Sequence, residues 1–497
     1  MKPQNKTYRF LEMVPGFVIW GIFIFCLALS IFFPLGGVYF IIIFVIWWMI
    51  RISYKLIFLF FSWRKMEKTK RINWLDKCQK IAGWEKIYHV VFLPTYKEGR
   101  EIIFGTLTAI SNNAFSADRI IVVLAGEERD KENFLSIAKE AEEKFKNNFF
   151  KFIYTVHPKN LPNEISGKAS NASYAGEIVK KIIDEELKIP YENIVSSCFD
   201  VDSVIHQQYF SYLTYLFLTV PNPARCSFQP IAIFNNNIWE SPFLMRVVAR
   251  GTTFWLLTEM ARKELLFTFS SHSMSFKALI DVGFWDRDVV SDDSRIYLQC
   301  YNHYNGNYQV IPMYLPVSMD TVYAGNLKKS LVEQYKQMLR WGYGVENVPY
   351  MLWYFIRNKK MPWIKKIGPL WTQFEGSCSW ATMPIIITFI GYLPFIFARF
   401  QEKSEAIIQN APFVLEKLIN ITIVGLLVAA ILSILLLPPR PSKYKFSKYF
   451  SMLLQWFFLP VTMIIYGAIP ATDAITRLML GKYLGFRVTE KKRVKTN

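Results

Sequence analysis

Cysteine and histidine are scarce in this 497-residue chain, at six and five residues, and neither type falls at metal-ligating spacing. Cys26, Cys78, Cys198, Cys226, Cys300 and Cys378 contain no C-x-x-C pair, which argues against a zinc ribbon and against a disulfide framework. They read as reduced, mostly buried thiols of a protein facing the cytosol. Internal repeats and low-complexity segments are lacking. A signal-peptide pattern is lacking too: the apolar run from about Pro15 to Phe33 is too long for a signal core and has no small-residue cleavage site. Acidic residues are few, 39 against 58 basic ones, for a formal net charge of +19.

Apolar and aromatic residues, by contrast, are abundant. At 52% apolar and 17% aromatic, the chain has enough for a large core with apolar segments left over. Basic residues crowd beside those segments: Arg51, Lys55, Arg64, Lys65, Lys68, Lys70 and Arg71 near the second, Arg440, Lys443 and Lys445 after a later one. That is the positive-inside pattern, with attraction to anionic lipid headgroups, and it argues against nucleic acid as the partner of the charge. Residues 1–62 are expected to form a membrane hairpin, the first run turning at Pro34-Leu35-Gly36-Gly37 into a second from Val38 to Ile50 and on to Phe61. Arg51 and Lys55 interrupt the second run, so its tail is expected in the interface with Trp63 as anchor, and both hairpin ends on the cytoplasmic side. In residues 346–497, Met351 to Ile367 is expected to lie on the membrane as one amphipathic segment. Spans are expected at about Trp380–Ala398, Ile421–Leu437 and Ser451–Ile469. Three spans place the basic tail, Lys482 to Lys495, outside, against the charge rule, so either one is re-entrant (Pro460 and Pro470 break the last) or another span exists.

Between them, residues 85–345 alternate in pattern. Short apolar runs at His89–Leu93, Ile120–Leu124, Phe152–Val156 and Val195–Phe199 are separated by helical stretches, among them Asn133–Asn147 and Ala172–Leu187. This predicts an α/β domain with a doubly wound, mostly parallel sheet, in which ligands sit beyond the carboxyl ends of strands. Pro94-Thr95-Tyr96 and Asp200-Val201-Asp202 both fall at such ends.

The motifs carry chemistry at different strengths. Asp200 and Asp202 flank one residue at a strand end, where hard carboxylate oxygens suit Mg²⁺ or Mn²⁺ shared with phosphates; a solvated acidic turn is the plain alternative. Ser291-Asp292-Asp293 opens an amphipathic stretch, so Ser291 reads as a helix cap, while one of the two carboxylates, if buried, has a raised pKa and serves as a proton acceptor. Gln337, Arg340 and Trp341 bring an amide, a cation and an indole together, either to grip a sugar chain or to anchor at the membrane. Gly167-Lys168-Ala169-Ser170-Asn171 sets a lysine at a helix start, as phosphate binding favours, but without the spacing of a Walker loop; taken by itself this piece reads first as an ordinary solvated helix start.

Taken in order, these motifs resemble the membrane-embedded family 2 glycosyltransferases, the group of cellulose, hyaluronan and poly-N-acetylglucosamine synthases. Pro94-Thr95-Tyr96-Lys97-Glu98 is similar to that family's P-x-Y-N-E, so Thr95, Tyr96 and Glu98 are implied to hold the donor nucleotide. Lys168 and Asn171 match its G-K-A-x-N, and Asp200 and Asp202 its metal-binding D-x-D. Ser291-Asp292-Asp293 stands where the family has T-E-D, which implies Asp293 as general base beside Asp292. Gln337, Arg340 and Trp341 match Q-x-x-R-W, and Phe228-Gln229 resembles the F-x-x-T-P-Q region, which implies Gln229 at the acceptor. Phe486-Arg487-Val488-Thr489-Glu490-Lys491 is similar to the F-x-V-T-x-K near the end of cellulose synthases. The chain departs from the family at Lys97 for Asn, at Asp292 for Glu, and at Ala125-Gly126-Glu127-Glu128, where D-D-G-S carries the base-contacting aspartate. No PilZ-like R-x-x-x-R segment follows.

The resemblance implies a GT-A type domain in the cytosol on α-helical transmembrane segments, a multi-pass protein of the cell membrane. It implies an inverting transfer from a UDP- or GDP-linked sugar to a growing polysaccharide, with Mg²⁺ or Mn²⁺ as cofactor. A lipid carrier or lipid-linked sugar is the alternative acceptor. A non-catalytic transporter or membrane scaffold is the alternative of another class.

Overall fold

The computed structural model describes residue 3, residues 5–401 and residues 406–493; the expected tail residue Lys495 lies outside them. Two long helices open the chain, α1 (Lys6–Phe32) and α2 (Pro34–Lys70). The expected turn at Pro34–Gly37 is instead the first turn of α2: only Phe33 breaks the backbone, and Pro34 takes the first helical position, where its missing N–H costs nothing. Nor do Arg51 and Lys55 interrupt α2, which runs on for 37 residues. Arg51 stays in the helix because Glu375 accepts from both of its terminal nitrogens, so the charge is paired rather than exposed to lipid.

The central domain is built on one eight-stranded sheet: β1 (Tyr88–Pro94), β2 (Ile120–Glu127), β3 (Lys151–His157), β4 (Ile194–Cys198), β5 (Val204–Ile205), β6 (Cys226–Phe234), β7 (Ser273–Ser275) and β8 (Gln309–Met319), in the order β3-β2-β1-β4-β7-β6-β8-β5. The pairs β1–β2, β2–β3, β1–β4 and β6–β8 are parallel, whereas β7 enters antiparallel between β4 and β6. The sheet is thus mixed and mostly parallel, as the alternating apolar runs predicted. The helices α3 (Arg100–Ser111), α4 (Lys131–Phe145) and α5 (Lys168–Ile182) follow β1, β2 and β3 as crossovers. Every residue of β2 and β4 is buried, as strands covered on both faces require.

Toward the C-terminus, α6 (Phe243–Met260), α7 (Asp292–His303) and α8 (Leu327–Gly342) complete the domain, and α9 (Asn347–Arg357) leads to α10 (Trp363–Thr388). The expected continuous segment Met351–Ile367 is therefore two helices. Asn358 ends the first by donating to the Asn302 carbonyl, and Pro362 caps the second. The expected span Trp380–Ala398 is bent by 43° between α10 and the stretch Ile390–Phe400. The expected Ile421–Leu437 falls in α11 (Ala406–Leu435); the side chains of residues 421–424 lie outside the described ones. Ser451–Ile469 lies in the interrupted helix Ser447–Met479, whose last piece is α12 (Ile469–Met479). Among the described residues α1, α2 and Ser447–Met479 are each long and apolar enough to cross a membrane, and the bent pair is a fourth if it counts as one span. Beyond α12 the chain turns back onto the α/β domain, so residues 486–493 end on the same side as that domain.

Candidate active site

The ends of β1, β2 and β4, the start of α5, helix α8 and the C-terminal segment enclose a cavity of about 1130 Å³. Thr95–Glu98 extend β1, Glu127 closes β2, and Asp200 and Asp202 follow β4; Lys168 opens α5, while Glu333 and Arg340 come from α8. The roof is residues Phe486–Arg493. The position matches the rule for such sheets, since strand ends leave backbone and side chains free of the ladder.

Lys168 is the hub. Its ammonium lies 2.7 Å from Asp200 Oδ1, 2.7 Å from Asp293 Oδ1 and 3.9 Å from Asp292 Oδ2. Burial pulls its pKa down, yet the three carboxylates overcome this and hold it well above the usual lysine value. Asp200 shows the converse: burial raises it, and Lys168 and Lys491 together bring it below the ordinary carboxylate range. Asp292 is farther from that ammonium, at 3.9 Å. Burial, then the neighbouring Asp293 charge, push its pKa up to about 7. The Asp293 side chain keeps a quarter of its surface exposed and that of Asp292 only 5%, so Asp293 is the more accessible of the two.

A carboxyl with a raised native pKa binds its proton more tightly folded than unfolded. Stability therefore falls as pH rises from about 4, the unfolded value, towards 7, and the penalty is complete above 7. Asp292→Asn removes that penalty. Its thermal unfolding temperature is expected to exceed the parent's by clearly more at pH 8 than at pH 5; an equal gap at both pH values would contradict the assignment.

The remaining expected residues divide into those facing the cavity and those behind its wall. Glu98 faces it and accepts from Thr95 Oγ1 and the Tyr96 N–H; burial lifts its pKa to about 7 against those two bonds. Tyr96 carries the Arg129 guanidinium 4.2 Å above its ring, and Arg129 in turn holds Glu127. Asn171 braces the floor, its amide donating to the Ala125 carbonyl. Gln229 is fully buried and spends its amide on the Pro230 and Ser270 carbonyls and the Phe269 N–H, so it shapes the loop beneath Asp293 and does not reach the cavity. Gln337 is also buried, bonded to Gln334, while Trp341 is half-buried beside Phe234. Arg340 faces the cavity with its guanidinium over Phe486, and its buried Nε has no partner among the described residues. Lys97 has φ of +67°, a left-handed conformation that asparagine adopts more readily, which gives the Asn of the related motif a backbone reason.

Ser291 sits at the cap position of α7, but its hydroxyl makes no cap bond; it donates to Glu346 instead. Further groups complete the site beyond those assigned to it from the sequence. Lys491 lies 2.7 Å from Asp202 Oδ2, and Arg493 pairs with Asp320, whose own N–H donates to Asp202. His272 is buried with Nδ1 donating to the Phe269 carbonyl and lies 3.7 Å from Asp293; burial lowers its pKa to about 4, so it is neutral. A Cβ at Gly167 would overlap the Phe486 ring, so a glycine is required for the roof to close. Of these, Lys491 carried a signal as the last residue of the F-x-V-T-x-K-like piece, and Gly167 as the first of Gly167-Lys168-Ala169-Ser170-Asn171.

A family model described as Glycosyl transferase family group 2 matches residues 197–470, more than half of the chain. The chain belongs to that family. It is a glycosyltransferase, which sets aside the transporter and scaffold readings. The matched stretch of this glycosyltransferase carries Asp200, Asp202, Asp292, Asp293 and the Gln337–Trp341 motif. No curated protein matches it. Among solved structures it is similar to the mannosyltransferase PcManGT from Pyrobaculum calidifontis, in complex with GDP-Man and Mn²⁺, at 12% identity and a TM-score of 0.42, covering 82% of this chain and 99% of that one. It is also similar to S. aureus TarS 1–349, at 11% identity and a TM-score of 0.33, covering 80% and 93%. A second TarS structure, in complex with UDP-GlcNAc, aligns at 12% identity with a TM-score of 0.32 and the same coverage.

Proposed function

We propose that this glycosyltransferase transfers a sugar, with inversion, from a nucleotide-sugar donor to a growing glycan at the cytosolic face of the cell membrane. The observation that carries this reading is the Lys168 bridge. One ammonium within 2.7 Å of both Asp200 and Asp293 ties a carboxylate that lines the cavity to the proposed base. A leaving diphosphate drawn to Lys168 would compete for that cation and free Asp293. The Asp293 carboxylate then takes the proton from an acceptor hydroxyl, which attacks the anomeric carbon opposite the leaving group. Thr95, Tyr96, Glu98 and Asn171 line the nucleotide end. Arg340, which lines the cavity, and Trp341, which packs beside Phe234, are assigned to the acceptor, for which an indole offers a flat face to a sugar ring. The basic residues flanking the apolar helices favour a cytosolic catalytic domain.

Asp200 and Asp202 offer hard oxygens suited to Mg²⁺ or Mn²⁺. In this structure an ammonium sits at each carboxylate, Lys168 at Asp200 and Lys491 at Asp202, so the charge demand of the pair is that of a cation site. Among the described residues no ready-made cluster of three His, Cys, Asp or Glu side chains exists. The donor set therefore fits a metal shared with phosphate oxygens, once Lys491 withdraws. A divalent ion held there would offset charge on the leaving diphosphate.

The test is incubation of the purified protein with labelled UDP- and GDP-sugars. Long product is expected; label in an organic-extractable lipid would point to the lipid-acceptor alternative, and no transfer from either donor class would refute the reading. Trp341→Ala adds a sharper check. Its transfer rate is expected to drop far more than its hydrolysis of donor to water, because water needs no stacking platform. An unchanged ratio removes Trp341 from the acceptor site.

A further inference from the structure

Two residues beyond the acceptor motif hold the base-bearing helix in place. The chain leaves α8 after Gly342, makes a short turn over Tyr343–Glu346 and enters α9 at Asn347. Glu346 is 1% exposed, and its Oε1 accepts three bonds from the start of α7: from the Val290 N–H at 2.8 Å, and from the Ser291 N–H and the Ser291 hydroxyl at 2.9 Å each. Asn347, wholly buried, accepts from Arg295 Nε at 2.8 Å and donates to Ser294 Oγ at 2.8 Å. Arg295 also donates to the Glu346 carbonyl and lies 4.0 Å above the Tyr350 ring. Asp292 and Asp293 stand between these fixed points, one residue past Ser291 and one before Ser294.

Three donors converging on one buried carboxylate oxygen make charge-assisted bonds, which are shorter and about twice as strong as neutral ones. A free helix start needs no such anchor, since a serine at Ser291 can cap α7 with its own hydroxyl. Here that hydroxyl is diverted to the carboxylate. The anchor is carried by the segment that directly follows Gln337, Arg340 and Trp341, and that segment is itself fixed to the membrane base: Gln373 of α10 donates to the Gly344 carbonyl, and Gly342 packs against Ala471 of α12 closely enough that a Cβ would lie 3.0 Å from its Cα.

We infer that Glu346 and Asn347 are positioning residues, which lock the carboxyls of Asp292 and Asp293 to the helix that grips the acceptor, so that acceptor seating and base alignment form one rigid unit. This rests on the proposed reading, in which Asp293 is the base. Glu346 touches no substrate; it acts through the backbone and hydroxyl of residues 290–291. An acceptor hydroxyl and its base must meet within a fraction of an ångström, and a misplacement of 1 Å costs about 100-fold in rate.

The experiment compares Glu346→Ala, Glu346→Gln, Ser291→Ala and Asp293→Asn in the full-length membrane protein, scaling rates to the folded fraction from thermal unfolding. Glu346→Ala is expected to lower kcat for transfer by about 100-fold with the donor KM within a few-fold, as lost alignment predicts. Glu346→Gln keeps an acceptor oxygen and is expected to recover most of that rate. Ser291→Ala deletes one of the three donors and is expected to fall between them. A merely structural role would lower the unfolding temperature and leave kcat per folded molecule unchanged in Glu346→Ala, which overturns the inference. If Glu346→Ala does not fold, Ser291→Ala decides, and a parental kcat there overturns it. A parental rate in Asp293→Asn refutes the proposed reading itself, and the positioning role with it; a dead Asp293→Asn beside a healthy Glu346→Ala refutes the positioning role alone.

Discussion

Asp293→Asn is expected to lower sugar transfer by about 10²–10⁴-fold while donor affinity stays within a few-fold. The amide has the shape of the carboxylate but cannot accept the acceptor's proton. The fold should survive, because Lys168 keeps Asp200 at 2.7 Å as its counter-charge and the Asp293 backbone carbonyl still accepts from Thr268 Oγ1. Asp292→Asn provides the contrast. That carboxyl is buried, with its pKa pushed up to about 7 by burial and by Asp293, so it is largely neutral below pH 7 and its amide changes little there. Single-turnover transfer with donor binding by calorimetry separates the two. A dead Asp292→Asn beside a healthy Asp293→Asn would move the base by one residue.

Asp202→Ala is expected to abolish turnover, and chelation of divalent ions is expected to silence the parent enzyme in the same way. Asp202 is 5% exposed, and its Oδ2 takes both the Asp320 N–H and the Lys491 ammonium. An apolar side chain offers neither a cation nor a diphosphate-bound ion any oxygen, so nothing replaces it. Asp202→Asn serves as the folding control, since it keeps an acceptor for the Asp320 N–H. Restoration of the chelated parent by Mg²⁺ or Mn²⁺, and its failure in Asp202→Ala, is the expected pair of results. Full activity in EDTA would defeat the metal assignment and leave the role of Asp293 standing.

How far the fold could be read from the chain depended on how local its causes are. β1 to β4 were legible because each is a short apolar run ending at a turn; β1, β2 and β4 are buried on both faces, and β3 buries alternate residues. β6 and β8 were not. Their strands contain Pro230, Pro312 and Pro316, which argue against a central position, yet they form a long parallel pair. The prolines are accommodated by a shift in register between Gln229 and Ile231, a pairing detail that no single strand encodes. β7 is three residues long and carries no periodicity at all.

The candidate site divides along the same line. Asp200-Val201-Asp202, Lys168 with Asn171, Thr95–Glu98 and the Gln337–Trp341 spacing are each set within one turn or one helix, and the chain by itself determined that they exist and what chemistry they suit. Tertiary structure alone decided how they are used. It turned Lys168 from a phosphate contact into a bridge between Asp200 and Asp293, withdrew Gln229 into the wall, and brought Lys491 to Asp202 across 289 residues. It also set Glu346 beneath the base. The physical reason is that charge pairing depends on distance in space and on burial. Neither leaves a period along the chain, whereas strands, caps and turns do.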